Sequence, residues 1–452
     1  MNQARALSEQ TIAAVVNQTD GGVPVSAPKP TVGGLIPVVT PALVTLCVLV
    51  FAATFLRHHS GTGANQPLLP GANVGALTLG GQWWRLFTSI FVHLGIVHLA
   101  VNMWCLWDLG CFAERVYGRI TLLLIFLSSG AAGAMASLAW HPFSVEAGAS
   151  GAIFGIAGAL IASFLLGDYP FHPSAMKAQL FSVLAFAGYN LAIGIFGHSA
   201  GNAAHIGGLV CGFALGSLVA VLPSRGAVTV VACGALLGCY AILAHAQGYI
   251  VPAERGRVAL EAGHTDVAVR ELNAAVRKNP RYADGYLSLA QAYLQQQRLA
   301  DAEQAYRKAV DLDPQAADTR VQLGTVLLAE RRTKEALAEF QNVLKVHPAD
   351  AAAVVGIGTA AALDGDYARA LEAFERAARL DPANPQVYAG IGVAALQLNR
   401  PEQAIAAFEK WTDLQPESAT AFVNLALAYK AKGMEHQAEQ AYQRALSLGK
   451  GH

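Results

Sequence analysis

Apolar residues follow two different patterns along this chain. Up to residue 247 they gather in long blocks with few interruptions. Beyond it they recur at helical intervals among polar residues, and a proline returns at a fixed spacing. A block of about 20 apolar residues forms a helix long enough to cross a bilayer. Seven such blocks are predicted, at 35–56, 93–113, 119–140, 150–167, 178–196, 203–222 and 227–247. Residues 1–34, rich in Gly, Pro, Ser and Thr, read as a flexible tail. The first block starts too late and runs too long for a cleaved leader, so it is expected to stay as an anchor.

Charge sharpens the division. Residues 1–247 hold 8 Lys/Arg and 6 Asp/Glu, whereas residues 248–452 hold 23 and 25. The first part therefore reads as membrane-embedded and the second as a nearly neutral soluble domain. No basic face points to nucleic acid. The six cysteines, Cys47, Cys105, Cys111, Cys211, Cys233 and Cys239, all lie in apolar stretches. They are expected to be packed or lipid-facing thiols, with no disulfide framework, no metal site and no cofactor. A cytoplasmic amino terminus would place Arg5, Lys29, Arg115, Arg119, Lys177 and Arg225 inside. Short outer loops would keep only Arg57 and Arg85, which follows the positive-inside bias. The second, fourth and sixth spans then all begin on the outer side.

That topology gathers polar residues at one depth. His98 and Asn102, four apart on one face, open the second span. Ser150, in the stretch Gly148-Ala149-Ser150-Gly151, opens the fourth, and His205 opens the sixth. Gly208, Gly212 and Gly216 follow on the face of His205, and Gly151 and Gly155 follow Ser150. Small residues at this spacing let helix backbones approach closely, so the fourth and sixth spans can bring Ser150 to His205. A serine hydroxyl becomes a useful nucleophile when a neighbouring base takes its proton, and an imidazole titrates in the right range. Asp108 and Glu114 lie toward the inner end of the second span, so a Ser–His dyad without a third acid is expected. His98, Asn102 and the backbone N–H of Ser150 would supply the donors that a tetrahedral oxyanion needs. Singly, each residue has an ordinary structural role: a helix serine bonds back to a carbonyl, an intramembrane His or Asn cross-links helices, and glycines pack. Together they point to a site. Trp83, Trp84 and Arg85 suit either a headgroup anchor or a part of that site.

The pattern over residues 80–220 resembles the rhomboid family of intramembrane serine proteases. The resemblance rests on Trp84-Arg85, His98-x3-Asn102, Gly110-x3-Glu114-x3-Gly118, Gly148-Ala149-Ser150-Gly151 and Ala204-His205 with its following glycines. It implies that Ser150 is the nucleophile, His205 the base, and His98 and Asn102 the oxyanion hole. It implies that Phe154 packs under the histidine, where the family often has tyrosine. The Glu114 motif is expected to be structural, with pairing near Arg115 or Arg119. The substrates implied are transmembrane proteins. A helical substrate hides its carbonyls, so its scissile stretch must unwind locally.

Prolines at 280, 314, 348, 382 and 416 recur every 34 residues, a period that signals a helical solenoid. Tyr286, Leu289, Ala290, Tyr293, Ala302, Tyr306 and Ala309 recur in kind through later blocks, resembling tetratricopeptide (TPR) repeats. Five repeats span 281–450, and 247–280, with Arg255 in place of a leucine, reads as a capping or degenerate repeat. Such a solenoid is expected to bind a protein or peptide.

The expected fold class is all-α: a polytopic membrane helical bundle, with a six-helix rhomboid-like core plus one extra helix, followed by an α-solenoid of TPR repeats. The expected divisions are a tail at 1–34, a membrane protease domain at 35–224, a seventh span and linker at 225–250, and repeats at 251–452. The expected setting is a bacterial plasma membrane, with the repeats on the non-cytoplasmic side. The alternative function is a non-proteolytic membrane scaffold that recruits partners through its repeats; a transporter is disfavoured because no inverted repeat is evident.

Overall fold

The computed structural model describes residues 36–59, 70–166, 201–222 and 224–449, together with Phe181, Val183 and Gly188. It divides into two compact units, Met1–Gln247 and Gly248–His452. The predicted tail and, apart from those three positions, the predicted span at 178–196 lie outside the described residues.

In the first unit the helices are α1 (Val39–His59), α2 (Gly75–Leu79), α3 (Arg85–Thr88), α4 (Ile96–Tyr117), α5 (Arg119–Trp140), α6 (Ser150–Leu166), α7 (Gly201–Val221) and α8 (Arg225–Ala246). Five described helices, α1, α4, α5, α7 and α8, are long and apolar enough to cross a membrane. The expected fourth span, α6, is shorter than these, with 17 residues. It is also the most enclosed: most of its side chains are buried against its neighbours. Its small residues explain the enclosure, since α5 and α7 pack directly on its backbone.

The Gly110–Glu114–Gly118 motif proves to be a docking device for α1. The Glu114 carboxylate is fully buried. It accepts hydrogen bonds from the N–H groups of Val38 (2.7 Å), Val39 (2.9 Å) and Thr40 (2.9 Å), and from the Thr40 hydroxyl (2.9 Å). These are the orphan donors of a helix start, and the charge sits at the positive end of the helix dipole. The expected arginine pairing is secondary: Arg119 Nε stands 3.9 Å away, and its own side chain is half exposed. At Gly110 a Cβ would come within 2.8 Å of Thr40 Cγ2, so glycine lets α1 close on α4. Gly118 ends α4 at φ +79, which an L side chain rarely adopts.

A two-stranded ribbon, β1 (Asn73–Val74) with β2 (Val145–Glu146), is antiparallel, with Asn73 opposite Glu146. Asn73 Nδ2 donates to Ala134 O (3.1 Å), and Arg85 donates to Ala72 O (2.7 Å) and Gln82 Oε1 (2.7 Å). Arg85 therefore ties α3 to Ala72 and Gln82 in the segment before it; its guanidinium also lies 5.0 Å from the Trp84 ring centroid.

The second unit is six helical hairpins: α9 (Ile250–Glu261), α10 (Thr265–Lys278), α11 (Ala283–Gln295), α12 (Leu299–Leu312), α13 (Ala317–Ala329), α14 (Thr333–Val346), α15 (Ala351–Leu363), α16 (Tyr367–Leu380), α17 (Pro385–Gln397), α18 (Pro401–Leu414), α19 (Ala419–Ala431) and α20 (Glu435–Gly449). In the first five hairpins one large residue, Leu272, Tyr306, Phe340, Phe374 and Phe408 in turn, is buried at 34-residue steps, and in the last the equivalent Tyr442 is exposed. A Cβ at Gly324 or at Gly356 would strike the Phe340 ring, so one ring locks two successive hairpins. The block read as degenerate folds as a complete hairpin, because Gly256 and Leu272 keep that same knob and recess despite Arg255.

Candidate active site

Ser150 begins α6, and His205 lies in the first turn and a half of α7. Their side chains meet, with His205 Nε2 3.0 Å from Ser150 Oγ. The approach depends on glycine. A Cβ at Gly208 would overlap the carbonyl of Gly151, and one at Gly212 would overlap the carbonyl of Gly155. Gly216 repeats the relation one turn deeper, where a Cβ would lie 2.6 Å from Ala159 O. Backbone therefore rests on backbone along the α6–α7 seam, and the seam sets the distance between serine and histidine.

Phe154, one turn below Ser150, lies flat against the imidazole, with centroids 4.3 Å apart and planes at 4°. This stacking fixes the ring's plane. His205 Nδ1 is buried and meets no hydrogen-bonding partner among the described residues. With the ring proton on Nδ1, Nε2 is free to accept the serine proton.

Gly148 organises the opposite wall. Its φ of +138 belongs to glycine. A Cβ there would come 2.8 Å from His98 Cε1 and 3.7 Å from Asn102 Nδ2. Both predicted donors therefore face the turn that carries Ser150. The Asn102 amide nitrogen is buried without a partner among the described residues. A desolvated donor is costly to leave unpaired, and aimed at the serine turn it is ready for a negative oxygen. Asn102→Ala is expected to lower the maximal cleavage rate by about 10²–10³-fold with a much smaller change in substrate affinity. Steady-state cleavage of a transmembrane reporter in detergent would check this; an unchanged rate would remove Asn102 from the chemistry.

A cavity of about 350 Å³ opens onto these groups, lined among others by Ser89, His98, Glu146, Gly148, Ser150 and His205. It provides room for water and a peptide backbone inside the apolar bundle. Two residues beside the serine turn or the cavity escaped the sequence reading. His93 Nε2 is 3.5 Å from the Ala149 N–H, and its ring centroid is 5.4 Å from that of His98. It opens the block predicted at 93–113, but α4 starts only at Ile96, so His93 lies before the helix and off the spacing that linked His98 to Asn102. Glu146 reaches the cavity through β2, whose two-residue ribbon has no legible period.

Known proteins match the chain in the same two parts. Residues 80–222 match the family model of the rhomboid domain. Residues 254–317, 321–385, 361–425 and 419–449 match tetratricopeptide repeat models. The chain is 37% identical over 193 residues to rhomboid protease GluP of Bacillus subtilis (strain 168), covering 42% of this chain and 36% of that protein. The match thus spans well under two thirds of the length of GluP. The chain is 29% identical over 216 residues to rhomboid protease AarA of Providencia stuartii, covering 43% of this chain and 76% of that one. A crystal structure of a thermophilic TPR protein of Thermus thermophilus aligns at 21% identity and a TM-score of 0.34, covering 39% of this chain and 96% of that chain.

Proposed function

We propose, for a chain that joins a rhomboid domain to a run of tetratricopeptide repeats, that it is an intramembrane serine endopeptidase acting on transmembrane segments. Ser150 Oγ attacks a scissile carbonyl carbon while His205 Nε2 takes the hydroxyl proton. The oxyanion is held by His98, Asn102 and the Ser150 N–H. His205 then returns the proton to the departing amine, leaving an acyl group on Ser150. A water molecule in the cavity, deprotonated by the same imidazole, releases the second product. The observation that carries this reading is the 3.0 Å contact between Ser150 and His205 at the wall of a cavity. Labelling of the membrane-inserted chain by a fluorophosphonate probe tests it. Labelling that is lost in Ser150→Ala supports the nucleophile; no labelling of the folded wild type would favour a non-proteolytic scaffold.

The charge bias of the loops supports a site facing the outer side of a bacterial plasma membrane. A seventh span, α8, would then deliver the repeats to that same outer side, as a module for substrates or partners. Protease added to intact spheroplasts is expected to digest the repeats. Digestion only in inverted vesicles would place them in the cytoplasm and end that role.

A further inference from the structure

Charge is distributed unevenly within the repeat unit. Helix α15 has no charged residue, α17 has none, and α19 has only Lys430 near its end. Their partners differ: α16 carries Arg369, Glu372, Glu375, Arg376 and Arg379, and α18 carries Glu402, Glu409, Lys410 and Asp413. The first helices of successive hairpins, α13 to α15, α15 to α17 and α17 to α19, approach one another more closely than the second helices do. A stack whose first helices crowd together bends toward them, so these helices line the concave side.

The 34-residue period lays their outward residues in rows. One row is Val355, Ala389 and Val423; the next is Thr359, Val393 and Leu427. Val393 is 42% exposed, Val423 36% and Leu427 53%, and Leu363 beside them is 38% exposed. The earlier hairpins break the pattern. Asp284 and Asp318 stand where Ala352, Gln386 and Thr420 stand later. On the first helices of the last three hairpins Lys430 is thus the one charge, and the polar positions Thr359, Gln386 and Thr420 are neutral, while the outer helices are charged.

We infer that this face binds an uncharged, apolar polypeptide segment held in extended form, of the kind a transmembrane stretch becomes when it leaves its helix. The segment's identity as a transmembrane stretch rests on the protease reading; its chemistry rests on the face. A charged segment would lose hydration against these side chains and find Lys430, at one end of the face, as its single counter-charge, whereas an apolar one gains by burial. Two copies of a concave surface cannot close on each other along their length, which disfavours self-association as the use of this face. Three helices about 10 Å apart span about 20 Å. At about 3.3 Å per residue that length suits about six to eight extended residues.

The test uses the full chain, as Ser150→Ala, in phosphatidylcholine nanodiscs, with empty discs as background. The probe is a fluorescent peptide whose seven-residue core of Leu, Ala, Val and Gly lies between pairs of lysines; its counterpart has two core residues replaced by Glu. The apolar probe should bind at least tenfold more tightly than the Glu probe. Val393→Glu with Leu427→Glu should weaken it at least tenfold. Val346→Glu, on α14 and 63% exposed, should leave it unchanged. Equal binding of the two probes, or a folded double variant that binds like Val346→Glu, overturns the inference. So does a dimer that the double variant dissociates with no peptide bound. Binding is read without catalysis, so a chain that binds the apolar probe yet never cleaves in its Ser150 form would defeat the protease reading and leave the face standing.

Discussion

Ser150→Ala should abolish cleavage of a co-expressed transmembrane substrate while the protein inserts and folds as before. Ser150 meets the imidazole through a hydrogen bond at Oγ. Phe154 still stacks on His205 when that oxygen is gone, so little packing is lost. His205→Ala should cost about as much, because the hydroxyl is inert without its base. The expected loss is about 10⁶-fold for either, and the double variant should be no worse than the singles, as expected of groups that act as one unit. The measurement is the ratio of cleaved to intact substrate, with expression and thermal midpoint followed in parallel. A folded Ser150→Ala protein that cleaves within tenfold of wild type would sink the assignment, and additive losses would mean the two residues act separately.

Gly212→Leu should damage stability and activity together. A Cβ at Gly212 would already lie 2.5 Å from both the Cα and the carbonyl carbon of Gly155, before any further leucine atom is counted. Gly155 cannot retreat easily, because it is itself pressed against Ser129. The helices must part, and overpacking of this kind costs about 1–3 kcal/mol or more. The dyad bridges the same seam, so parting stretches the contact between Ser150 and His205. A misplacement of about 1 Å can cost about 10²-fold in rate. Gly234→Leu on α8 is the control, since Gly234 has open space where its Cβ would stand. Thermal unfolding in detergent and reporter cleavage should both fall for Gly212→Leu and hold for Gly234→Leu. If Gly212→Leu behaves like the control, the close seam is not what positions the dyad.

Much of this protein could be read from its sequence because the governing rules are local. Bilayer thickness sets the length of an apolar block, and α1, α4, α5, α7 and α8 follow it. Helix geometry turns a 34-residue period into stacked hairpins, and glycines at four-residue spacing into a close seam. Helix starts on one side gave a common depth to Ser150, His205, His98 and Asn102. What depth does not supply is direction. Only the packed structure turns Gly148 toward His98 and Asn102, leaves the Asn102 amide unpaired among the described residues, and brings in His93 and Glu146 from outside the helices. It also moves Glu114 from an arginine partner to the amides of α1, because orphan donors at a buried helix start outcompete a half-exposed guanidinium. The concave apolar rows are equally a tertiary fact. Their residues are 34 positions apart, and only the curvature of the stack makes them neighbours on one surface.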